Sequence, residues 1–146
     1  MLAHDGSVDR YLDADAESYV MWPDTNVNSD TQVIRYGYSS LTTPTQIWQV
    51  DLTSGETELL KADRVLGDFD SGNYRDARLM ITARDGTPVP VSLAHHKDTP
   101  LDGSAPALVY AYGSYGSSTD PWFRNSVISL LDRGFVYVIA HIRGGQ

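Results

Sequence analysis

Two tyrosines in a glycine-rich segment offer the clearest chemistry in this chain. Residues 112–118 read Tyr-Gly-Ser-Tyr-Gly-Ser-Ser and follow a mostly apolar run at 106–111 that favours a β-strand. Glycines let a backbone approach a ligand closely, and the phenols of Tyr112 and Tyr115 are hydrogen-bond donors. The segment lacks the G-x-G-x-x-G and G-x-x-x-x-G-K-[ST] spacings of phosphate-binding loops. It therefore predicts either a ligand-binding loop or a tight turn packed by its tyrosines.

A serine nucleophile of the hydrolase type requires the spacing G-x-S-x-G, which presents the hydroxyl on a sharp turn. Ser114 comes nearest, with Gly113 directly before it and Gly116 two residues after it. Ser39 and Ser117 have a glycine nearby but none two residues later. The chain therefore contains no serine in the spacing of a hydrolase nucleophile.

The histidines and one acidic turn are the other candidates for metal or acid–base chemistry. His4 lies at an end that we expect to fray, and His95 and His96 are adjacent, so in a strand they face opposite ways. His141 follows a predicted buried strand and is interpreted as a structural residue. The acids of residues 13–17 resemble a calcium loop but lack its glycine and its final glutamate. The sequence supports no metal site and implies no cofactor.

Charge and composition narrow the choice of partner. The 146 residues include 19 acidic and 11 basic side chains, for a net charge of −8. Nucleic acid and anionic membranes are therefore not expected as partners, because lysine and arginine carry most phosphate binding. The chain has no cysteine, no apolar run near the ~20 residues of a membrane span and no visible signal peptide. We expect a cytoplasmic protein, and the sequence leaves the oligomeric state open.

The acidic charge is concentrated in one half of the chain. Residues 1–72 carry 13 acidic and 4 basic side chains, against 6 and 7 in residues 73–146. Turn-forming residues cluster at 67–73, between the two halves. This asymmetry predicts two structural units, residues 1–72 and residues 73–146.

The first unit is predicted to consist of β-strands. Strands are expected at residues 18–22, 32–38, 46–52 and 56–60. Ser54 and Gly55 between the last two strands indicate a hairpin. A strand about every ten residues is typical of a β-propeller blade or a β-sandwich.

The second unit is predicted to be α/β. Strands are expected at residues 77–84, 89–94, 106–111 and 135–140, with a helix through residues 127–131. Asp85 and Gly86 indicate a hairpin turn between the first two strands. A strand, a glycine-rich loop, a helix and a second strand form a βαβ crossover, which is the signature of an α/β sheet.

Three finer expectations concern this unit. Pro88 and Pro90 should place their strand toward a sheet edge, because proline cannot donate a ladder hydrogen bond. Asn125 or Ser126 should cap the helix and Gly134 should end it. The continuous apolar run at 135–140 indicates a strand that is buried on both faces.

Five motifs, taken in order, resemble the prolyl oligopeptidase family of serine peptidases, and in particular its oligopeptidase B branch. The matching segments are residues 35–44 (RYGYSSLTTP), 82–91 (TARDGTPVPV), 108–116 (LVYAYGSYG), 130–137 (LLDRGFVY) and 141–146 (HIRGGQ). The family combines a seven-bladed β-propeller with an α/β-hydrolase domain and cleaves short peptides, and the oligopeptidase B branch cuts after Arg or Lys. The resemblance thus implies that residues 1–72 are the last propeller strands and residues 73–146 the start of the catalytic α/β-hydrolase sheet.

The resemblance implies roles for two residues. Tyr112 matches the family's oxyanion-hole phenol, and Asp120 matches an acid that holds the basic residue of the peptide. The family often has a second acid two residues later, where this chain has Trp122, and Ala111 replaces a usual glycine. The catalytic Ser, Asp and His of the family would all lie downstream of Gln146, so the chain is expected to be an internal fragment. Without the serine we expect this chain alone to form no acyl-enzyme and to hydrolyse no peptide.

Two other interpretations remain open. The parent protein could be another member of the family, such as an acylaminoacyl or dipeptidyl peptidase, or an esterase. Alternatively, the chain could be a non-catalytic, acidic, β-rich binding domain. Such a domain should unfold cooperatively as a monomer, whereas a cut propeller blade joined to half a sheet should leave unpaired strand edges and aggregate.

Overall fold

The computed structural model describes residues 11–145, so the fraying expected at His4 lies outside the described residues. Within this range the chain forms two four-stranded β-sheets, one after the other along the sequence. No helix of residues 11–145 is long and apolar enough to cross a membrane.

The first sheet is an antiparallel meander in which each strand pairs with the next. Its strands are β1 (Tyr19–Pro23), β2 (Val33–Ser40), β3 (Gln46–Asp51) and β4 (Thr57–Ala62). Their bounds agree with the sequence prediction to within two residues. The expected hairpin joins β3 to β4, where Gly55 adopts a φ of 81° and the Asp51 carboxylate accepts hydrogen bonds from the Thr53 and Ser54 N–H groups.

A glycine on β2 makes room for a tryptophan on β1. Trp22 and Gly37 are partners in the antiparallel register, and a Cβ atom on Gly37 would collide with the indole ring. The indole therefore lies directly against the β2 backbone.

The second sheet is mixed. Its strands are β5 (Tyr74–Thr82), β6 (Pro88–His96), β7 (Ala107–Ala111) and β8 (Val136–Ala140), and helix α1 (Asn125–Leu131) connects β7 to β8. The strand order is β5-β6-β8-β7, and β7 and β8 are parallel while the other pairs are antiparallel. A short 3-10 turn, Ser71–Asn73, precedes β5 in the segment where the sequence predicts a linker.

The prediction that Pro88 and Pro90 place their strand at a sheet edge is wrong, because β6 lies between β5 and β8. The pairing of β6 with β8 begins only at Val91. Both prolines precede that segment, so their missing N–H groups leave no gap in the β6–β8 ladder.

The prediction of a strand buried on both faces is also wrong within the described residues. On β8, Tyr137 and Ile139 are 5% and 2% exposed, whereas Val136, Val138 and Ala140 are only half-buried. The buried face is the one against which α1 packs, and every residue of the neighbouring edge strand β7 is exposed.

Helix α1 begins at Asn125, so both residues predicted to cap it lie inside the helix. Asn125 is already helical, and Arg124 occupies the N-cap position without a side-chain hydrogen bond, so the expectation of a cap at Asn125 or Ser126 is wrong. The predicted end is confirmed, because Gly134 has a φ of 80° and its N–H donates to the carbonyl of Leu131.

The core lies between α1 and the second sheet. Its buried members are Leu41, Tyr74, Ala94, Val127, Ile128, Leu131, Tyr137 and Ile139. Leu41 is 1% exposed although it belongs to the connection between β2 and β3. The first sheet thus contributes a side chain to the core of the second.

Buried hydroxyl groups line the joint between the two sheets. Five side chains at most 8% exposed form this hydroxyl seam: Ser18, Ser39, Ser40, Thr42 and Ser92. Asp76 on β5 accepts hydrogen bonds from Thr42 Oγ1 at 2.8 Å and from Ser40 Oγ at 3.2 Å. Asp76 is only partly buried, but a carboxylate that loses part of its hydration needs such donors, so these contacts fix β5 against the end of β2.

Tyr74 donates a hydrogen bond of 2.6 Å to the Asp132 carboxylate at the end of α1. Burial and, to a smaller extent, this hydrogen bond raise the pKa of Tyr74 to about 12. Replacing Asp132 with Asn removes the negative charge and should lower the pKa of Tyr74, which a titration of phenolate absorbance would measure.

The same shift has a consequence for stability. Because the folded-state pKa lies above the ordinary value of 10.0, the contribution of Tyr74 is complete below pH 10 and is lost as the pH rises toward about 12. An Asp30→Asn variant, altered at an exposed acid between β1 and β2, should leave the Tyr74 titration unchanged. An unchanged titration in Asp132→Asn would contradict the assigned contact.

Candidate active site

The parallel pairing of β7 and β8 creates the candidate site. Parallel strands end at the same edge of a sheet, so Tyr112, the first residue after β7, and His141, the first after β8, both follow that edge. Ligands of open α/β sheets bind at the carboxyl ends of the strands. The glycine-rich loop at residues 112–118 thus lies where the sequence analysis expects a ligand.

Two glycines allow this loop to pack against the turn that follows β8. The Gly116 N–H donates a 3.0 Å hydrogen bond to the carbonyl of Gly144. A Cβ atom on Gly113 would collide with the carbonyl of Arg143, and one on Gly144, whose φ is 88°, would collide with the carbonyl of Gly113. Two backbones are therefore in direct contact, which holds the start of the loop in place.

Neither tyrosine of the loop is buried. Tyr112 is 41% exposed, so the residue is open to solvent. Tyr115 is 98% exposed and has a φ of 59°, a conformation that costs a non-glycine residue roughly 1–2 kcal/mol. The alternative of a turn packed by both tyrosines does not describe this loop.

Asp120 lies farther along the same connection between β7 and α1, and its side chain is exposed. Its carbonyl accepts a 2.9 Å hydrogen bond from the Trp122 N–H, and the Trp122 ring lies 4.7 Å from that of Trp22 on β1. This aromatic pair attaches the Asp120 segment to the first sheet. The described structure records no hydrogen bond between Asp120 and Tyr112.

His141 lies at the centre of the polar contacts behind this edge. Its Nε2 is 2.7 Å from Ser92 Oγ, and Ser18 Oγ donates a 2.5 Å hydrogen bond to the same Ser92 oxygen. Burial lowers the pKa of His141, as does Arg78 to a smaller degree, while Asp120 acts in the opposite direction. The interpretation of His141 as a structural residue agrees with these contacts but does not account for its link to Asp120.

The other candidates from the sequence make local contacts. His95 Nδ1 lies 2.8 Å from the carbonyl of His96, and His96 faces Asp98 at 3.6 Å. Glu17 accepts a hydrogen bond from the Arg78 N–H. Within residues 11–145, no group of three His, Cys, Asp or Glu side chains could hold a metal ion.

A cavity of about 450 Å³ opens on the first sheet and not at this edge. Its walls include Asp13 and Asp15 of the acidic turn and the aromatic side chains of Tyr36, Tyr38 and Trp48. Neither Tyr112 nor Asp120 lines it, so this cavity is separate from the candidate active site.

Sequence reasoning found the glycine-rich loop but missed Ser92 and Trp22. A serine in the middle of a strand carries no spacing signal, and its role depends on a partner 49 residues away. Trp22 reads as an ordinary strand residue. The only available hint was its pairing with Gly37, which requires the strand register to be known.

Residues 3–63 match the family model described as the N-terminal β-propeller domain of prolyl oligopeptidase. The chain is also 48% identical, over 97% of its length, to dipeptidyl aminopeptidase BI of Pseudoxanthomonas mexicana. The chain belongs to the prolyl oligopeptidase family. The expected family is thereby confirmed, as is the assignment of the first strands to a β-propeller.

Other members of the prolyl oligopeptidase family agree in sequence and in structure. Protease 2 of Moraxella lacunata is 33% identical over 99% of this chain. Oligopeptidase B from Leishmania major superimposes with a TM-score of 0.82 at 32% identity over 99% of the chain, and oligopeptidase B from Trypanosoma brucei with 0.80 at 39% over 92%. The chain spans about a fifth of the length of these relatives: 20% and 21% of the two curated proteins, 21% and 19% of the two solved chains.

The packing of the glycine-rich loop can be tested with paired substitutions in this family member. Gly144→Ala should destabilise the fold, because it combines an unfavourable φ with a collision against Gly113. Gly103→Ala is the matched control, since Gly103 has a φ of 91° but no atom within 4 Å of the added Cβ.

Denaturant unfolding should show a loss of roughly 1–2 kcal/mol for Gly103→Ala, the cost of the left-handed backbone alone. Gly144→Ala should exceed this by about 1–3 kcal/mol, the usual cost of overpacking. Equal losses in the two variants would show that the loop and the turn do not touch.

Proposed function

We propose that this protein is, or forms part of, a serine peptidase of the oligopeptidase B branch that hydrolyses short peptides after Arg or Lys. The observation that carries the proposal is the position of the exposed Tyr112, directly after β7 at the carboxyl edge of the parallel pair. Its sequence context resembles the oxyanion-side loop of that branch.

We further propose that residues 73–146 begin the α/β-hydrolase domain and that residues 1–72 end the propeller. Along the chain, β7 is the third strand of the second sheet, and α1 is the helix that follows it. In α/β-hydrolases the loop after the third strand supplies a donor of the oxyanion hole. The loop that carries Tyr112 occupies this place in the strand order.

The role of Tyr112 has a direct chemical basis. When a serine attacks a peptide carbonyl, negative charge develops on the carbonyl oxygen. A donor held in place before the reaction stabilises this charge without reorganisation, and one such donor contributes roughly 3–4 kcal/mol. The backbone contacts of Gly113 with the turn after β8 hold the residue next to Tyr112 in place.

Asp120 is proposed to bind the basic side chain of the peptide. Its carboxylate is exposed on the same connection as Tyr112, and the contact between Trp122 and Trp22 restrains its segment. A guanidinium or ammonium group is the natural partner of an exposed carboxylate.

A dipeptidyl peptidase is the second candidate, and the 48% identity to a dipeptidyl aminopeptidase favours it. The two activities differ in the substrate terminus that they need. An aminopeptidase requires a free amino group near the cleaved bond, so a peptide blocked at its N-terminus and carrying an internal Arg distinguishes them. Cleavage of the blocked peptide supports the oligopeptidase B activity.

The proposed role of Tyr112 is tested by Tyr112→Phe in the peptidase that contains this chain. Loss of one oxyanion donor should lower kcat by about 10²–10³-fold, with little change in KM. Tyr115→Phe, three residues away on the same loop, should retain kcat. A Tyr112→Phe enzyme of undiminished kcat would exclude the oxyanion role, and absence of any peptidase activity in the parent protein would favour a binding domain.

The proposed role of Asp120 is tested by Asp120→Asn with substrates that differ at the cleaved residue. For Arg and Lys substrates kcat/KM should fall about ten- to a hundredfold, the value of a hydrogen bond to a charged group. Asp102→Asn removes an exposed loop acid elsewhere and should have no such effect. Equal losses for basic and apolar substrates would show that Asp120 does not select basic residues.

A further inference from the structure

Three polar side chains from distant parts of the sequence form one hydrogen-bonded line across the joint between the sheets. Ser18 directly precedes β1, Ser92 lies on β6 and His141 follows β8. Ser18 Oγ donates to Ser92 Oγ at 2.5 Å, and Ser92 Oγ lies 2.7 Å from His141 Nε2. The two serines are 1% and 0% exposed, so water does not compete for these bonds.

The number of hydroxyl protons determines which group donates and which accepts along this line. Each hydroxyl has a single proton, and Ser18 uses its proton on Ser92. Ser92 can then donate to His141 only if Nε2 carries a lone pair, which requires a neutral imidazole with its proton on Nδ1. In this state both serine protons have an acceptor.

Protonation of His141 reverses this arrangement. An imidazolium has no acceptor, so its Nε2–H must donate to Ser92. Ser92 Oγ would then face two donors, and either its own proton or that of Ser18 would need a new acceptor. Within residues 11–145 the side-chain acceptor of Ser18 Oγ is Ser92 Oγ, so one buried hydroxyl proton would lose the acceptor that it has in the neutral state.

The charged groups around His141 come from two directions. Arg78 on β5 disfavours the imidazolium, and Asp120 on the loop before α1 favours it. Glu17, the neighbour of Ser18, accepts a hydrogen bond from the backbone N–H of Arg78, from the side of the first sheet. Burial is the largest influence, and with Arg78 it lowers the pKa of His141 below 6.5 despite Asp120.

We propose that Ser18, Ser92 and His141 form a pH-sensitive tie between the two sheets, closed while His141 is neutral and loosened when it is protonated. The proposal does not depend on the proposed peptidase function. A hydrogen-bonded line with a purely structural role would need no titratable member. This line ends on a histidine, the residue type whose charge ordinarily changes closest to neutral pH.

The direction of the pH effect follows from linkage. Unfolded His141 takes up a proton near pH 6.5, while the folded state does so only at lower pH. The contribution of His141 to the stability of the joint is therefore complete above pH 6.5. It is lost as the pH falls from 6.5 toward the lower pKa of folded His141.

The contact between Trp22 and Trp122 is a built-in reporter, because one ring lies on β1 and the other lies on the loop before α1. The experiment follows tryptophan fluorescence of the full chain from about pH 8 to about pH 5, in a Trp48→Phe background that removes the third indole. With Ser18, Ser92 and His141 unchanged, this background should show a reversible transition below pH 6.5.

Two variants decide the assignment. His141→Gln places an amide oxygen where Nε2 accepts, so the tie should stay closed and the transition should disappear. His95→Gln, a histidine outside the line, should retain the wild-type transition. A transition that persists in His141→Gln, or that vanishes in His95→Gln, would overturn the proposal.

A measurement on the unmutated chain does not depend on how variants fold. Nitrogen-15 shifts of the His141 ring should show the Nδ1–H tautomer at neutral pH and a pKa below 6.5. Ser92→Ala removes the donor to the neutral ring and should raise this pKa. An Nε2–H tautomer in the wild-type protein would rule out the tie.

Discussion

The parallel pairing of β7 with β8 is the constraint on which the candidate site depends. It brings two segments that are about thirty residues apart to one edge of the sheet, where each continues into a glycine-containing turn. Two backbones can share that space only without side chains between them, which Gly113 and Gly144 provide. Tyr112 takes its position from this contact, so a pairing between strands fixes the place of a phenol.

The joint between the sheets has a different character from the core beside it. Leu41 enters the apolar core under α1, but most of the joint consists of hydroxyls around Asp76 and Ser92. Polar contacts of this kind contribute little net free energy, yet breaking one partner leaves the other unsatisfied. Interfaces between domains are commonly of this polar type and permit relative motion. The joint is thus specific in geometry without being strongly adhesive.

The sequence predicts the elements well because alternation, turn residues and apolar runs are local signals. Every strand and the helix lie where expected, and the glycine-rich loop at residues 112–118 is correctly placed after a strand. The errors concern neighbours that local patterns do not contain. Pro88 and Pro90 suggested an edge because their sequence does not reveal where pairing with β8 begins, and Arg124 became the N-cap although Asn125 has the better cap chemistry.

The candidate site was predictable only in part for the same reason. Tyr112 could be found from its motif, since its neighbours in sequence are also its neighbours in space. The line from Ser18 through Ser92 to His141 spans both sheets, so no spacing of residues along the chain indicates it. Chemistry that depends on a hydrogen bond across a joint becomes visible only when the sheets are placed together.

The pairing of Trp22 with Gly37 couples β2 to the Asp120 segment before α1, although the two are far apart in the sequence. Any side chain at position 37 would push the indole away from β2 and so shift its partner Trp122, two residues from Asp120. Position 37 should therefore tolerate few replacements in a mutational library, although it lies in the sheet that carries neither Tyr112 nor Asp120. Suppressors of such replacements would be expected among smaller residues at position 22.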